Sequence, residues 1–234
     1  DVYKRQDYKS VVTKYFNPTG TLSTWYEGAE VGDIWGYTVN DLFRSQEDLD
    51  SYLSKVDMTH IAANWNTGDL KYEDINHDGK VNNGTNTIGN HGDLSVIGND
   101  QPHYQYTING GVSYKGFDFS MLWRGVAKKD MYFYRGSNIY WGFMGGWWES
   151  CLTPEHLDYF RDQPGSKYSG LYEGDANINT DAYWPRPYLN NTEEAKNKNH
   201  ANTRYLQNAA YLRLQNVQLG YSCLLYTSPS PRDS

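Results

Sequence analysis

The stretch YQYTINGGVSYKGFDFSMLWRGV, residues 104–126, decides the fold. Apolar and polar side chains alternate along its first arm, and the alternation returns in the second arm after the pair Lys115-Gly116. A period of two places the apolar side chains on one face of a strand and the polar ones on the other. Lys115-Gly116 supplies a tight turn, so the stretch predicts a β-hairpin. Each arm has roughly the ~9–11 residues with which a tilted strand crosses a bilayer.

A second strand is predicted within YLQNAAYLRLQNVQLGY, residues 205–221. Leu212 and Leu214 hold one phase of the apolar alternation, whereas residues 217–221 hold the other. The phase therefore slips near Gln215-Asn216. A single extra residue in one strand of a pair produces such a slip, so the pattern predicts a β-bulge.

Two long segments without strand periodicity, about 27–102 and 136–204, flank the hairpin. Short helices are predicted in them, one capped by Ser45 and one capped by Thr153 with Pro154 at its first position. Irregular stretches this long are uncommon in compact soluble domains. The order of long loop, strand, tight turn, strand, long loop, strand is typical of outer-membrane barrels, which have short periplasmic turns and long extracellular loops.

The composition is rich in aromatic residues and glycine, with 22 Tyr, 8 Trp and 22 Gly, whereas Leu, Ile and Val are sparse. Aromatic girdles and polar loops give a transmembrane barrel this composition. A soluble β-sandwich such as a carbohydrate-binding module is also rich in Tyr and Trp. The net charge of −7 argues against nucleic acid as a partner. The sequence has no apolar run of the ~20 residues that a membrane helix requires.

The two ends of the chain do not read as natural protein. DVYKRQ at residues 1–6 can be encoded by GATGTGTATAAGAGACAG, and the reverse complement of this DNA encodes CLLYT, which begins the segment at residues 223–234. Both ends therefore resemble translated sequencing-adaptor DNA, and such segments are excluded from fold reasoning. The natural part is expected at residues 7–222, as an internal piece of a longer protein. Cys151 is then the only natural cysteine, with no CxxC metal pair.

Five blocks, taken in order, carry a resemblance to SusC/RagA-type TonB-dependent transporters. They are residues 31–50, VGDIWGYTVNDLFRSQEDLD; 68–100, GDLKYEDINHDGKVNNGTNTIGNHGDLSVIGND; 114–125, YKGFDFSMLWRG; 182–191, AYWPRPYLNN; and 203–221, TRYLQNAAYLRLQNVQLGY. The second block resembles the family segment Gly-Asp-Leu/Ile-x-Tyr-x-Asp-x-Asn-x-Asp-Gly, which precedes Ile-Gly-Asn and the next barrel strand. The last two are similar to blocks near the family's C-terminus.

The resemblance implies an all-β fold, an antiparallel transmembrane β-barrel fragment from a plugged barrel of about 22 strands with long extracellular loops. It implies uptake of oligosaccharide or peptide nutrients across the outer membrane of a Gram-negative, Bacteroidetes-like bacterium. The implied partners are a SusD-like surface lipoprotein, outer-membrane lipid, and the TonB–ExbB–ExbD complex, which would act through N-terminal parts absent from this sequence. The nutrient itself is not specified.

One loop, DINHDGK, predicts a metal site. Asp74, Asn76 and Asp78 occupy positions 1, 3 and 5 of a calcium-type loop, and Lys80 offers its backbone carbonyl at position 7. Thr85 stands at position 12 and cannot supply the bidentate carboxylate of an EF-hand, so only a partial Ca²⁺ site is predicted, with Asp93 as a further candidate ligand. The alternative is a loop of Asx-turns, in which these side chains bond the local backbone.

A tryptophan-rich stretch is a candidate cargo contact. Trp141, Trp147 and Trp148 are predicted to stack against sugar rings near the barrel mouth, and an aromatic girdle or loop packing is the alternative role. The sequence has no HExxH, GxSxG or Walker A motif, so an enzyme is not predicted. The competing functional hypothesis is a secreted carbohydrate-binding or dockerin-like scaffold module, with an unrecognised hydrolase as a third.

Overall fold

The structure is a computed structural model that describes residues 16–134, 138–145, 151–162, 178–188 and 191–222. The predicted adaptor segments, residues 1–6 and 223–234, lie outside the described residues. The chain forms two compact units. We call Asp1–Gln101 with Asp130–Gln207 the core unit, and Pro102–Lys129 with Asn208–Ser234 the sheet unit.

The described strands are β1 (Asp33–Tyr37), β2 (Val39–Leu42), β3 (Leu70–Tyr72), β4 (Leu94–Asn99), β5 (His103–Tyr114), β6 (Phe117–Lys128), β7 (Asp130–Met131), β8 (Gln207–Asn208) and β9 (Tyr211–Tyr221). The described α-helices are α1 (Gln46–Leu53), α2 (Asn138–Trp141) and α3 (Asn191–Lys198), with 3₁₀ turns at Gly142–Gly145 and Pro154–Leu157. The pairs β1–β4, β2–β3, β5–β6 and β6–β9 are antiparallel, so the predicted β-rich, antiparallel class is confirmed. None of the described helices is long and apolar enough to cross a membrane.

The sheet unit contains the predicted hairpin. Strands β5 and β6 pair from His103 opposite Lys128 to Tyr114 opposite Phe117. The two-residue turn between them has φ of 49° at Lys115 and 84° at Gly116. Two successive positive φ angles match the right-handed twist of the flanking strands, which is why this turn closes a hairpin tightly.

Strand β9 pairs with the other edge of β6 and contains the predicted bulge. Leu122 lies opposite Asn216 and the next residue, Trp123, lies opposite Leu214. Gln215 is therefore the extra residue of the bulge, at the position where the sequence changes phase.

The core unit corrects the expectation that the segment 27–102 lacks strands, because β1 to β4 lie within it. These strands have only three to six residues, too few for a repeated alternation to stand out in the sequence. Both predicted helix starts are confirmed. The Oγ of Ser45 accepts a hydrogen bond from the Asp48 backbone N–H at 3.2 Å, and Thr153 is the N-cap of the 3₁₀ turn that begins at Pro154.

Aromatic side chains form a large part of the core of this unit. The fully buried members include Tyr72, Tyr205 and Trp141. A buried tyrosine hydroxyl needs a partner, and backbone carbonyls supply it here. The Tyr72 hydroxyl donates to the Lys196 carbonyl, and the Tyr132 hydroxyl donates to the Lys198 carbonyl at 3.0 Å. The carbonyls at the C-terminal end of α3 are thereby satisfied by the core.

A buried ion pair joins the two chain segments of the core unit. The Asp69 carboxylate and the Lys196 ammonium are both fully buried, with 2.7 Å between Oδ2 and Nζ. The Asp69 oxygens also accept hydrogen bonds from Asn197 Nδ2 at 2.9 Å, the Tyr188 hydroxyl at 2.8 Å and the Asn66 backbone N–H at 2.8 Å. Burial raises the pKa of the Asp69 carboxyl, and the attraction of Lys196 opposes that rise. The pair therefore tolerates burial through its hydrogen bonds as well as its charge.

We predict that Lys196→Met destabilises the chain by about 3–5 kcal/mol, because it leaves the Asp69 charge buried without its counter-ion. Urea unfolding of the full 234-residue chain in detergent, followed by tryptophan fluorescence, measures the change. Lys71→Met is the matched control, since the Lys71–Asp48 pair is partly exposed and its loss is expected to cost below about 1 kcal/mol. Equal losses in the two variants would contradict the importance of the buried pair.

We predict a second, pH-dependent loss of stability from His200, whose ring lies 5.8 Å from that of Tyr37. Burial, assisted by His60, lowers the pKa of His200 in the folded chain. The unfolded chain then takes up the proton first, so stability present above about pH 6.5 is lost as the pH falls through the lowered value. His200→Gln should flatten this dependence between pH 7 and pH 5, whereas exposed His77→Asn should leave it unchanged. Measuring the unfolding midpoint of each variant as a function of pH tests this prediction.

Candidate functional site

The most distinctive surface of the molecule is one face of the β5–β6–β9 sheet. Residues directly opposite each other in paired strands share a face, so the strand register assigns each paired side chain to one of the two faces of the sheet. The side chains that share the first face are all apolar apart from two glycines: Tyr106, Ile108, Gly110, Val112 and Tyr114 of β5; Phe117, Phe119, Met121, Trp123 and Gly125 of β6; and Leu212, Leu214, Val217, Leu219 and Tyr221 of β9.

This apolar face is exposed. Ile108, Val112 and Leu219 have 55%, 63% and 76% of their surface accessible. Monomeric soluble proteins rarely expose a contiguous apolar patch of more than a few hundred Å². The face therefore requires an apolar environment of its own.

The opposite face of the sheet is mainly polar. It carries Gln105, Thr107, Asn109, Ser113, Asp118, Ser120, Arg124, Arg213, Asn216 and Gln218. Leu122, Val126 and Tyr211 are its large apolar members. A sheet with one apolar and one polar face separates two different surroundings.

The bulge at Gln215 makes the apolar face continuous. Without an extra residue, Leu212 and Leu214 would point to the face opposite Val217 and Leu219, since side chains alternate strictly along a strand. With Gln215 unpaired, all four lie on the apolar face. The change of phase in the apolar pattern of β9 and its pairing with β6 are compatible only because β9 contains this bulge.

Aromatic side chains lie near both ends of the apolar face. Tyr114, Phe117 and Tyr221 lie at the turn end, where the Phe117 and Tyr221 rings are 4.6 Å apart, and Tyr106 lies towards the other end. Aromatic rings with a polar atom prefer the boundary between an apolar layer and water. Phe119 and Trp123 lie between the two ends, so aromatic rings occur along most of the face.

The predicted calcium loop folds as a series of Asx-turns. The Asp74 carboxylate accepts the backbone N–H groups of Asp78 at 3.2 Å and Gly79 at 2.8 Å. Asn76 Oδ1 accepts the Asp78 N–H at 2.9 Å, and Asp78 Oδ1 accepts the Lys80 N–H at 2.8 Å. Gly79 has a φ of 79°, which permits the sharp turn at this position.

The Asp93 carboxylate holds this loop by hydrogen bonds to its backbone. The carboxylate is fully buried and accepts the backbone N–H groups of Ile75 at 2.8 Å, Asn76 at 3.3 Å and Asn82 at 2.8 Å. Within the part of the chain that the structure describes, three or more His, Cys, Asp or Glu side chains nowhere converge on a metal position. Asp74, Asn76, Asp78 and the Lys80 carbonyl thus supply a partial ligand set, and calcium binding stays a prediction. The segment 81–93 contains no helix, unlike the loop-and-helix unit of a dockerin.

Of the three tryptophans predicted to stack against cargo, the structure describes one, Trp141. Trp141 is fully buried, and its indole N–H donates to the Phe133 carbonyl at 2.6 Å. Its ring contacts Trp184 and Tyr205 in the core, so the packing role fits its position and sugar stacking does not. Trp147 and Trp148 lie outside the described residues.

Sequence reasoning missed an open groove of about 1230 Å³ in the core unit. Its lining includes Phe133, Tyr140, Tyr183, Trp184 and Gln207. Gln207 Nε2 donates to the Tyr140 hydroxyl at 2.7 Å. Burial, with the adjacent Tyr183 hydroxyl, raises the pKa of Tyr140 well above its ordinary value, so this hydroxyl keeps its proton. Aromatic rings beside hydroxyl and amide groups suit sugars and peptides alike, so the lining selects neither.

No signal in the sequence would have revealed this groove, because its residues come from separate stretches between 133 and 207 that only the fold brings together. No protein-family model and no curated protein matches the chain.

We predict that calcium raises the unfolding midpoint of the chain through the Asp74–Lys80 loop, since a ligand that binds only the folded state stabilises it. Millimolar CaCl₂ should shift the urea midpoint of the wild type but not that of Asp74→Asn/Asp78→Asn. Asp57→Asn, which removes an exposed carboxylate outside the loop, is the matched control. An equal shift in all three proteins, or none in the wild type, would refute the calcium site.

Proposed function

We propose that the chain is a piece of the membrane-spanning β-barrel of a SusC/RagA-type TonB-dependent transporter, which imports oligosaccharide or peptide nutrients across the bacterial outer membrane. The observation that carries the proposal is the continuous, exposed apolar face of the β5–β6–β9 sheet opposite a mainly polar face. In a barrel, the apolar face meets lipid and the polar face meets the interior.

The strand lengths support this environment. Strands β5 and β6 have 12 residues each and β9 has 11. At about 3.4 Å per residue, 12 residues extend about 40 Å, and a tilt of about 45° reduces this to about 28 Å across the bilayer. The apolar band of an outer-membrane barrel is about 25 Å tall.

The open edges of the sheet support a larger assembly. Among the described residues, β5 and β9 each pair on only one side, against β6. Their outer edges carry unpaired backbone N–H and C=O groups, which a bilayer does not tolerate. Further strands on both sides, closing into a barrel, would satisfy these groups.

The chain connections agree with a barrel that has one loop-rich side. His103 at the start of β5 lies opposite Lys128 at the end of β6, and Tyr211 at the start of β9 lies opposite Val126. The long segments therefore leave the sheet at one end, and the Lys115-Gly116 turn lies at the other. We assign the turn to the periplasm and the two long segments to the extracellular side.

The five resembling blocks supply the remainder of the proposal: a SusD-like lipoprotein over the barrel mouth, energy from TonB–ExbB–ExbD through parts outside this sequence, and a glycan or peptide cargo. No catalytic step is assigned. A soluble carbohydrate-binding or dockerin-like module is less well supported, because it would leave the apolar face in water.

We predict that Trp123, on the apolar face of β6, contacts lipid acyl chains. The full-length protein that contains this chain, reconstituted in vesicles with brominated lipids, should lose Trp123 emission, measured as the difference in fluorescence between the wild type and Trp123→Phe. Trp65→Phe provides the matched control, since Trp65 packs against Phe43 and Tyr72 in the core unit and its emission should persist.

Two results would contradict the proposed function. One is a chain that is monomeric and unfolds cooperatively in buffer without detergent or lipid. The other is a folded chain in vesicles whose Trp123 emission is unaffected by brominated lipid.

A further inference from the structure

The buried Asp69–Lys196 pair places an amine against a carboxyl group in a site without solvent. Lys196 Nζ lies 2.7 Å from Asp69 Oδ2, and the carboxyl carbon is the next atom beyond this oxygen. Both side chains have no accessible surface. A lysine amine that has lost its proton is a nucleophile towards a carbonyl carbon. Reacting groups that a fold holds in contact have effective concentrations far above those in solution.

The second oxygen of the Asp69 carboxyl group is held by two fixed donors. The Tyr188 hydroxyl donates to Oδ1 at 2.8 Å, and Asn197 Nδ2 donates to the same oxygen at 2.9 Å. If an amine attacks the carboxyl carbon, negative charge develops on this oxygen. Donors held at this distance stabilise such charge in acyl-transfer sites. Tyr188 and Asn197 therefore have the arrangement of an oxyanion hole for attack on Asp69.

A second carboxylate lies beside the amine. Glu193 Oε2 is 3.1 Å from Lys196 Nζ, and the Glu193 side chain is partly exposed. The hydrogen bond from Lys196 lowers the pKa of Glu193, which favours its ionised form. Burial raises the pKa of Asp69, which favours its protonated form. Two carboxyl groups whose surroundings shift their pKa values in opposite directions can divide the roles of acid and base.

Burial also favours the removal of both charges. An ion pair without solvent keeps the cost of desolvating two charges, whereas an amide carries no charge. Exclusion of water protects an amide at this position from hydrolysis. Its carbonyl oxygen would be Oδ1, which keeps the donors Tyr188 and Asn197, and its N–H could donate to the Asn64 carbonyl, 2.8 Å from Nζ.

We propose that Asp69 and Lys196 join in an intramolecular isopeptide bond, with Glu193 as the proton carrier. Lys196 Nζ gives one proton to the Asp69 carboxylate and attacks its carbon, which forms the N–C bond. Glu193 takes a second proton from Nζ and returns it to the leaving Oδ2 hydroxyl. The C–Oδ2 bond breaks and one water molecule leaves. Ammonium and carboxylate thereby become amide and water, and no other reactant is required.

The bond would connect the two long segments of the core unit covalently. Asp69 directly precedes β3, and Lys196 belongs to α3. A covalent link between distant positions closes a long loop in the unfolded chain and lowers its entropy. This inference does not depend on the proposed function, because all the groups involved lie in the core unit.

Mass spectrometry of the full-length protein that contains this chain, purified in detergent and digested with trypsin, tests the proposal. We expect peptide 56–71 linked to peptide 168–198, because an acylated Lys196 is not cleaved by trypsin. The linked product should be lighter than the sum of the two peptides by one water molecule, and fragmentation should locate the link at Asp69 and Lys196. Peptides 56–71 and 168–196 found only as separate products would overturn the inference.

Two variants separate the reaction from a purely structural role of the pair. Glu193→Gln keeps a hydrogen-bond acceptor beside Lys196 but cannot take up the proton, so the linked fraction should fall by about tenfold or more. Tyr188→Phe removes one donor to Oδ1 and should lower the linked fraction as well. Glu47→Gln, in the first turn of α1, is the matched control and should stay fully linked.

The fold of each variant is checked by the emission of Trp65, whose ring lies 5.5 Å from Lys196 Nζ. A variant with wild-type emission and a lower linked fraction supports the proposed roles. A Glu193→Gln protein that is still fully linked would remove Glu193 from the reaction. Failure of lipid contact at Trp123 would contradict the proposed function and leave the isopeptide bond unaffected, so the two failures are distinguishable.

Discussion

In an antiparallel sheet, residues that lie opposite each other must share a face, and the continuous apolar surface of the β5–β6–β9 sheet depends on this constraint. A single strand with alternating side chains is compatible with many folds. Three strands that place most of their apolar residues on one side, with the bulge at Gln215 correcting the phase of the third, define a surface. That surface is exposed, so its side chains require a layer of lipid or of protein to cover them.

The core unit is held together differently. Its core combines aliphatic side chains with tyrosine and tryptophan rings, whose polar atoms donate to backbone carbonyls, as Tyr72 and Tyr132 do to the last turn of α3. The Asp69–Lys196 pair then connects a loop in the first long segment to a helix in the second. Buried polar groups satisfied in this way favour one arrangement of long segments over many similar ones. Segments that leave a sheet as loops can thereby hold a defined shape.

The chemical features that suggest a separate binding module have structural roles in this fold. The acidic loop at Asp74 to Lys80 is closed by its own backbone N–H groups and by the buried Asp93 carboxylate. The Trp141 ring belongs to the core. Among the described residues, the aromatic groove near Tyr140 and Gln207 and the two faces of the sheet are accessible.

The sequence by itself determined the local features whose causes are local: the turn at Lys115-Gly116, the alternation of β5 and β6, the bulge near Gln215 and the helix start at Ser45. Each depends on residues within a few positions of one another, so its signal is continuous along the chain. Only the tertiary structure decided that β1 to β4 pair within the first long segment, that Lys196 neutralises Asp69, and that Arg124 opposes Arg213. These features join residues that are between about 30 and 130 positions apart, and strands β1 to β4 are too short to show an alternating pattern. Their stability comes from burial and register, which the local sequence pattern does not encode.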